Sequence, residues 1–199
     1  MNNIKDLLKK CSLKISDLGF LEAGTKFKIT RKKSVEKEME KIYSFVKEAF
    51  PSHLQNPILY ILGELSDNIN QHSQYTKGFI FLNYDKNSKE AWLMIYDNGI
   101  SIPGGFKKNQ IFFSDDSQAI EMAMKGRSTK KEEGRGFGLS TSRKLVEKGF
   151  NGNFAVFSGE GIYKDKKLST KMPERINGTF VYISLIDKGE GLNIYEYLT

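Results

Sequence analysis

From Val35 onward the apolar residues recur at helical spacing. Val35, Met39, Ile42, Val46 and Ala49 share one side of a 3.6-residue helix, with Glu36 and Glu38 in a first turn that Ser34 caps and Pro51 closing the far end. A second run, Ile58, Ile61, Leu62, Leu65 and Ile69, predicts a helix with Asn56 as its cap and Pro57 at the first helical position, where a missing amide hydrogen costs nothing. It extends to about Ser73. The period then shortens: GFIFLNYD and AWLMIYD, separated by the polar turn Lys86 to Glu90, predict an antiparallel hairpin that ends at Asp97. A Gly- and Pro-containing stretch, Asn98 to Phe106, leads to a short amphipathic helix around Asp116 to Lys125 and then to a charged, glycine-punctuated loop up to Gly138. A helix through Leu139, Leu145 and Val146 is expected to stop at a left-handed Gly149, and the strands NFAVFSG and GTFVYISLI follow. The segment before Val35 reads as irregular except for FLEAGTKFKIT, which alternates like a strand. This order predicts an α/β (α+β) two-layer sandwich, with helices on one face of a mixed, mainly antiparallel sheet.

Composition supports one domain without choosing its function. The 199 residues contain 14 Phe and 9 Tyr, enough to build a core, and no repeat or Pro/Ser-rich linker divides them. No apolar run approaches the roughly 20 residues that cross a bilayer, so no membrane role is expected and the chain reads as cytoplasmic. The single cysteine, Cys11, cannot pair within the chain, which agrees with a reducing compartment. The net charge of +7 suits a polyphosphate or an acidic partner as well as nucleic acid, but the cations are scattered in short pairs, so nucleic acid ranks last.

Three short patterns carry chemistry. Glu64, Asn68 and His72 stand four residues apart, which on a helix forms one polar stripe. A carboxylate and an amide oxygen are hard-oxygen ligands suited to magnesium, and an imidazole one turn on can donate to a phosphate. Asp97-Asn98-Gly99 puts an acceptor-only carboxylate at a strand end, able to take a hydrogen bond from an exocyclic amine, with a glycine that lets the chain turn beside a ring. GRSTKKEEGRGFGLSTSRKL brings Gly134, Gly136 and Gly138 to the start of a helix, where bare amides and the cations Arg127, Lys130, Lys131 and Arg135 suit a polyphosphate. No strand precedes this run and the Walker A pattern is absent, which excludes a Rossmann or P-loop site.

In this order the patterns resemble the nucleotide-binding boxes of the GHKL superfamily of gyrase, heat-shock chaperone, sensor kinase and MutL ATPases, over residues 34–187. The resemblance implies a Bergerat-type ATP-binding fold, with residues 1–33 as an N-terminal extension and 188–199 as a tail. Glu64, Asn68 and His72 fit the first box, Asp97 and Gly99 the second, and Gly134, Arg135, Gly136, Phe137, Gly138 and Leu139 the third. Asn177-Gly178-Thr179-Phe180 resembles the last box, in which a threonine supports the adenine-binding aspartate. By that resemblance Asp97 binds adenine, Asn68 and Glu64 hold magnesium at the phosphates, and Glu64 activates the attacking group. Residues 100–135 form a lid that includes Arg127, Thr129 and Lys130, ordered by the triphosphate. Ser101 departs from the pattern, standing where a second glycine is common, and predicts a stiffer hinge.

The expected ligands are ATP or ADP with Mg2+. For the use of that ATP, the layout is similar to the free-standing anti-sigma serine/threonine kinases that phosphorylate a STAS-type partner. A histidine kinase acting with a response regulator, an ATP-gated binding module and a homodimer stay open, as does a sigma factor as the regulated partner. A gyrase-like switch borrows a lysine from a following domain, which is not expected after Thr199, and a histidine kinase needs a long helix pair before the catalytic domain. His53, the other histidine, is expected at the surface or as a helix cap.

Overall fold

The computed structural model describes residues 4–11, 20–30, 35–127, 138–170, 172 and 174–197. In chain order these form α1 (Ile4–Lys10), α2 (Phe20–Ala23), β1 (Thr25–Thr30), α3 (Val35–Ala49), α4 (Ser52–Asn68), β2 (Lys77–Asp85), β3 (Glu90–Asp97), α5 (Ile102–Lys108), α6 (Asp116–Met124), α7 (Gly138–Lys144), β4 (Asn153–Gly159), β5 (Gly161–Lys164), β6 (Lys167–Ser169) and β7 (Ile176–Ile186). Wider π-turns extend α4 over Ile69–Ser73 and α7 over Leu145–Gly149, and a 3-10 turn covers Ile194–Tyr197.

The seven strands run in the order β1-β2-β3-β7-β4-β5-β6, and every described pairing is antiparallel. The last strand lies in the middle. It pairs Asp97 of β3 with Thr179, and on its other side Thr179 with Ser158 of β4, where the β4–β7 register shifts at Ser158 and Gly159. This brings residues from three sequence-distant strands to one end of the sheet. A register shift beside a site re-aims side chains that a regular ladder would turn away.

The helices cover one face as expected. Ile42 and Val46 of α3, Ile58, Ile61, Leu62 and Leu65 of α4, Ile120 of α6 and Leu139 of α7 join the inward residues of the strands in the main core. The opposite face is not bare. Phe79, Phe81, Met94, Tyr96, Phe157, Phe180 and Tyr182 form a second, aromatic cluster closed by Ile4, Leu7, Leu8 and Cys11. The N-terminal segment is therefore not irregular: Ile4, Leu7 and Leu8 fall three and four residues apart and give α1 an apolar stripe, which the sheet's outer face buries. Phe20–Ala23, expected to begin a strand, is helical, and the strand starts at Thr25.

Further boundaries differ from the sequence pattern. α4 begins at Ser52 rather than after Asn56, with Pro51 at its cap and Pro57 inside the helix. Leu54, fully buried, draws this first turn into the core, and the Gln55 amide donates to the Phe50 and Lys47 carbonyls at 2.9 and 3.1 Å, binding α4 to α3. Gly149 does not adopt the left-handed conformation; Asn151 does, and Gly149 instead makes room for Leu192 and Tyr197 of the C-terminal segment. The strand ending at Ile186 starts at Ile176, and the short strands β5 and β6 were not visible in the pattern.

Candidate functional site

Three elements converge at the Asp97 end of β3. Beyond Asn68 the backbone of α4 widens into the π-turn Ile69–Ser73, and Gln74 at a φ of 51° terminates it. Gly99 then passes so close to the Ser73 carbonyl that a Cβ at that position has no space. The Asn98 side chain accepts the N–H groups of Thr76 and Lys77 at 3.0 and 2.8 Å, tying the entry of β2 to the end of β3, and the Ile100 N–H donates to the Ser73 carbonyl at the end of the π-turn. An open cleft of about 850 Å³, part of it continuous with solvent, lies between α4, the sheet, α5 and α6. Its walls include Asn68, Asp97, Arg127, Leu139 and Thr179, five of the residues singled out by sequence.

Asp97 is 4% exposed, and its carboxylate accepts the Gly99 N–H at 2.8 Å. Burial pushes its pKa up to about 6, against the opposing pull of the Gly99 N–H, the Ser73 hydroxyl and the Thr179 N–H. Behind it Gly178 has a φ of 86°, and a Cβ there has no space beside the Asp97 carbonyl, so only glycine satisfies both the backbone and the contact. Apolar Leu65, Ile69, Ile95, Ile100, Phe106 and Val181 also line the cleft, so Asp97 is a polar anchor in a largely apolar wall.

Glu64 lies one turn before Asn68 on α4, farther from Gly99. Its carboxylate occupies the place a Cβ of Gly138 would take, so a side chain there would displace the Glu64 carboxylate where α7 approaches α4. Tyr60, a further turn back, meets Thr141 of α7 at 3.1 Å; burial raises its pKa, the Thr141 bond opposes this and the Glu64 charge adds to it. The stripe predicted for Glu64, Asn68 and His72 thus runs along α4 as far as Asn68. The backbone of His72 lies in the wider turn, and its side chain is outside the described residues. Thr129, Lys130, Lys131, Gly134, Arg135, Gly136 and Phe137 also lie outside them.

Within the Gly- and Pro-containing stretch that begins at Asn98, α5 forms from Ile102. Ser101 is its N-cap, accepting the Gly104 N–H at 3.2 Å, and Pro103 stands in the first turn, which together outweigh two glycines. Ser101 has extended backbone angles that need no glycine, which explains the departure from the family pattern. At the far end of α6, Gly126 adopts a φ of 85°, its N–H and that of Arg127 close back on the Ala123 and Met122 carbonyls, and the chain turns so that Arg127 lines the cleft. Sequence reasoning missed Ser73 and Ser158, both buried beside Asp97 or Thr179. Neither sits in a motif or at a periodic position.

His53 is neither a simple surface residue nor a cap. Its Nε2 lies 2.6 Å from Asp187, whose carboxylate also accepts the Tyr84 hydroxyl at 2.6 Å and the Gly189 N–H at 2.7 Å. Burial works to raise the Asp187 pKa, and the bonds from Tyr84, His53 and Gly189 overcome it and leave it below the ordinary value. His53 stands at the opposite end of α4 from Asn68, about 22 Å along the helix axis.

As to magnesium, the Asn68 amide oxygen and the Glu64 carboxylate present hard oxygens one helical turn apart. Among the described residues no three His, Cys, Asp or Glu side chains group into a cage. That donor set fits an ion which keeps water and shares phosphate oxygens rather than one wrapped by protein. Among the described residues no helix is long and apolar enough to cross a membrane. No curated protein matches the chain. Residues 53–188 match the family described as histidine kinase-, DNA gyrase B-, and HSP90-like ATPase.

Proposed function

Since the chain belongs to the family of histidine kinase-, DNA gyrase B-, and HSP90-like ATPases and carries an ATP-binding domain of that type, we propose that it is a protein kinase, transferring the γ-phosphoryl group of ATP to a serine or threonine of a partner protein. The observation that carries this reading is the order of groups from β3 back along α4: Asp97 with the Ser73–Gly99 contact and then Asn68 on the cleft wall, and Glu64 one turn farther on, its carboxylate against Gly138 at the start of α7. Asp97 accepts the exocyclic amine of adenine at the closed end. The phosphates then extend past Asn68 toward Glu64, with Arg127, at the end of α6, supplying charge from the lid side. Asn68, alone or with Glu64, would hold magnesium, which would supply neutralisation of the phosphate charge. Thr179 supports Asp97 from the neighbouring strand.

In the transfer step the acceptor oxygen bonds to the γ-phosphorus, the bond to the β-phosphate oxygen breaks to leave ADP, and the acceptor proton goes to the Glu64 carboxylate. A serine or threonine on a STAS-type partner in bacterial-type signalling is the acceptor class that the layout resembles. His53 does not serve as acceptor in its own chain, being about 22 Å along α4 from Asn68 and engaged with Asp187. A second reading, an ATP-gated switch without transfer, is favoured by the contribution of Ile102, Gly105, Phe106 and Ala123 to the cleft wall, which ties α5 and α6 to its occupancy.

The test is labelling of candidate partner proteins with γ-labelled ATP and magnesium, comparing wild type with Glu64→Gln. Acid-stable phosphoserine or phosphothreonine that disappears in the variant supports the kinase. An acid-labile product points to histidine chemistry, and ATP binding with no transfer to any partner leaves the switch.

A further inference from the structure

Ser158 belongs to none of the boxes the sequence singled out, yet its hydroxyl sits where three elements meet. It lies at the register shift of β4 and is fully buried. Its oxygen accepts the Ile102 N–H at 2.8 Å, stands 2.9 Å from Thr179 Oγ1 and donates to the Gly178 carbonyl at 3.1 Å. Ile102 opens α5, and the first amides of a helix have no partner within it. The Ser101 cap serves Gly104, so the Ile102 amide is left to Ser158.

A hydroxyl has one proton and two lone pairs. With the Ile102 N–H on one lone pair, two arrangements remain. In the first, Thr179 donates to Ser158 and Ser158 donates to the Gly178 carbonyl. In the second, Thr179 turns its proton toward an acceptor in the cleft, Ser158 donates to Thr179, and the Gly178 carbonyl loses its partner. Thr179 lines the cleft next to Asp97, so the occupant of the closed end selects between them.

We propose that Ser158 is a positioning residue that couples occupancy of the Asp97 end of the cleft to the docking of α5, the first helix of the lid. The proposal rests on the nucleotide reading above and adds the route by which a bound base reaches the lid. A ligand that engages Thr179 changes the hydrogen bonding of the hydroxyl that ties the first amide of α5 to the sheet. The helix in turn supplies Ile102, Gly105 and Phe106 to the cleft wall, so its docking and the ligand's enclosure move together.

Hydrogen exchange on peptides covering residues 102–108 tests this in wild type, Ser158→Ala and Thr179→Val, each empty and saturated with ATP and magnesium, with saturation established by calorimetry. In wild type, ATP slows the exchange. Ser158→Ala speeds exchange in the empty state about tenfold, because a buried amide and carbonyl lose their partner, and it loses the ATP-dependent slowing although ATP is bound. Thr179→Val keeps the side-chain shape without the hydroxyl; its empty-state exchange stays within about twofold of wild type, and most of the slowing is lost. A Ser158 of merely structural importance lowers the melting temperature but leaves the slowing intact. Undiminished slowing in ATP-saturated Ser158→Ala, or in Thr179→Val if the first variant does not fold, overturns the proposal, as does wild type that binds ATP with no change at 102–108. Wild type that binds no ATP defeats the nucleotide reading, and this proposal with it.

Discussion

The two ends of the cleft are built from different material. The Asp97 end is made by the sheet: β3, β7 and β4 lie side by side, and Asp97, Thr179 and Ser158 occupy matched positions across them. Its spacing is set by ladder hydrogen bonds and by Gly99 and Gly178, which leave no room for a methyl group. The Glu64 end is made by helices: the last turns of α4 before Asn68, the start of α7 and the end of α6. Strand-borne groups keep one geometry, whereas groups at helix ends take theirs from how the helices dock. In the nucleotide reading proposed above, the sheet end would hold the base and the helix end would rearrange around the phosphates.

That contrast predicts that substitutions at the sheet end damage folding or affinity, and substitutions at the helix end damage turnover. Gly178→Ala places a Cβ against the Asp97 carbonyl at a φ that only glycine holds without strain. The expected loss is about 2–6 kcal/mol of folding stability, strain and overpacking together, read by chemical denaturation. A variant as stable as wild type would show that the sheet end adapts as freely as the helix end. Glu64→Ala should leave ATP affinity within about 0.5 kcal/mol and slow phosphoryl transfer about 10²–10⁴-fold, because a general base acts mainly in the transition state. Single-turnover transfer alongside calorimetry checks this, and unchanged turnover removes Glu64 from its role.

Asp97→Asn should cost about 2–4 kcal/mol of ATP affinity with a folded protein, since a charged acceptor in a desolvated pocket is replaced by a neutral amide. Titration calorimetry on the variant decides it, and wild-type affinity would move the base away from Asp97. The smallest effect is one of pH. With the Asp97 pKa raised to about 6 by burial, its carboxylate is mostly ionised at neutral pH and mostly protonated one unit below that value. Binding of adenosine, whose base does not titrate in this range, should weaken about tenfold between about pH 7 and pH 5, and the dependence should vanish in Asp97→Asn. The effect on the empty protein has the opposite sign. A carboxyl whose folded pKa lies above its unfolded value of 3.8 favours the folded state at low pH, and that contribution is lost as pH rises through about 6. A flat binding profile would mean that the carboxylate is not the acceptor.

Much of this molecule was legible from neighbours in the chain. The spacing of Ile42 and Val46 predicted α3, the alternation in GFIFLNYD and AWLMIYD predicted the β2–β3 hairpin, and the order of the boxes identified the family. Asn68, Asp97, Arg127, Leu139 and Thr179, singled out in separate patterns along the chain, line one cleft. The boundaries were less legible. Local rules put a cap at Asn56 and a stop at Gly149, whereas burial of Leu54 and the packing of Leu192 and Tyr197 set the actual ends.

Sequence by itself determined what depends on a few adjacent residues: the period of each element, the candidate ligands on each and the fold class they imply. Tertiary structure alone decided which distant groups meet. His53 reaches Asp187 across 134 positions, α1 closes the aromatic face of the sheet, and Ser158 receives the first amide of α5 from 56 positions away. A serine in a strand carries no sign of its partner, because a hydroxyl serves water, a carbonyl or an amide equally well. Only the insertion of β7 between β3 and β4 brings Ser158 beside Thr179, and a buried hydroxyl there must take its hydrogen bonds from whatever the fold delivers.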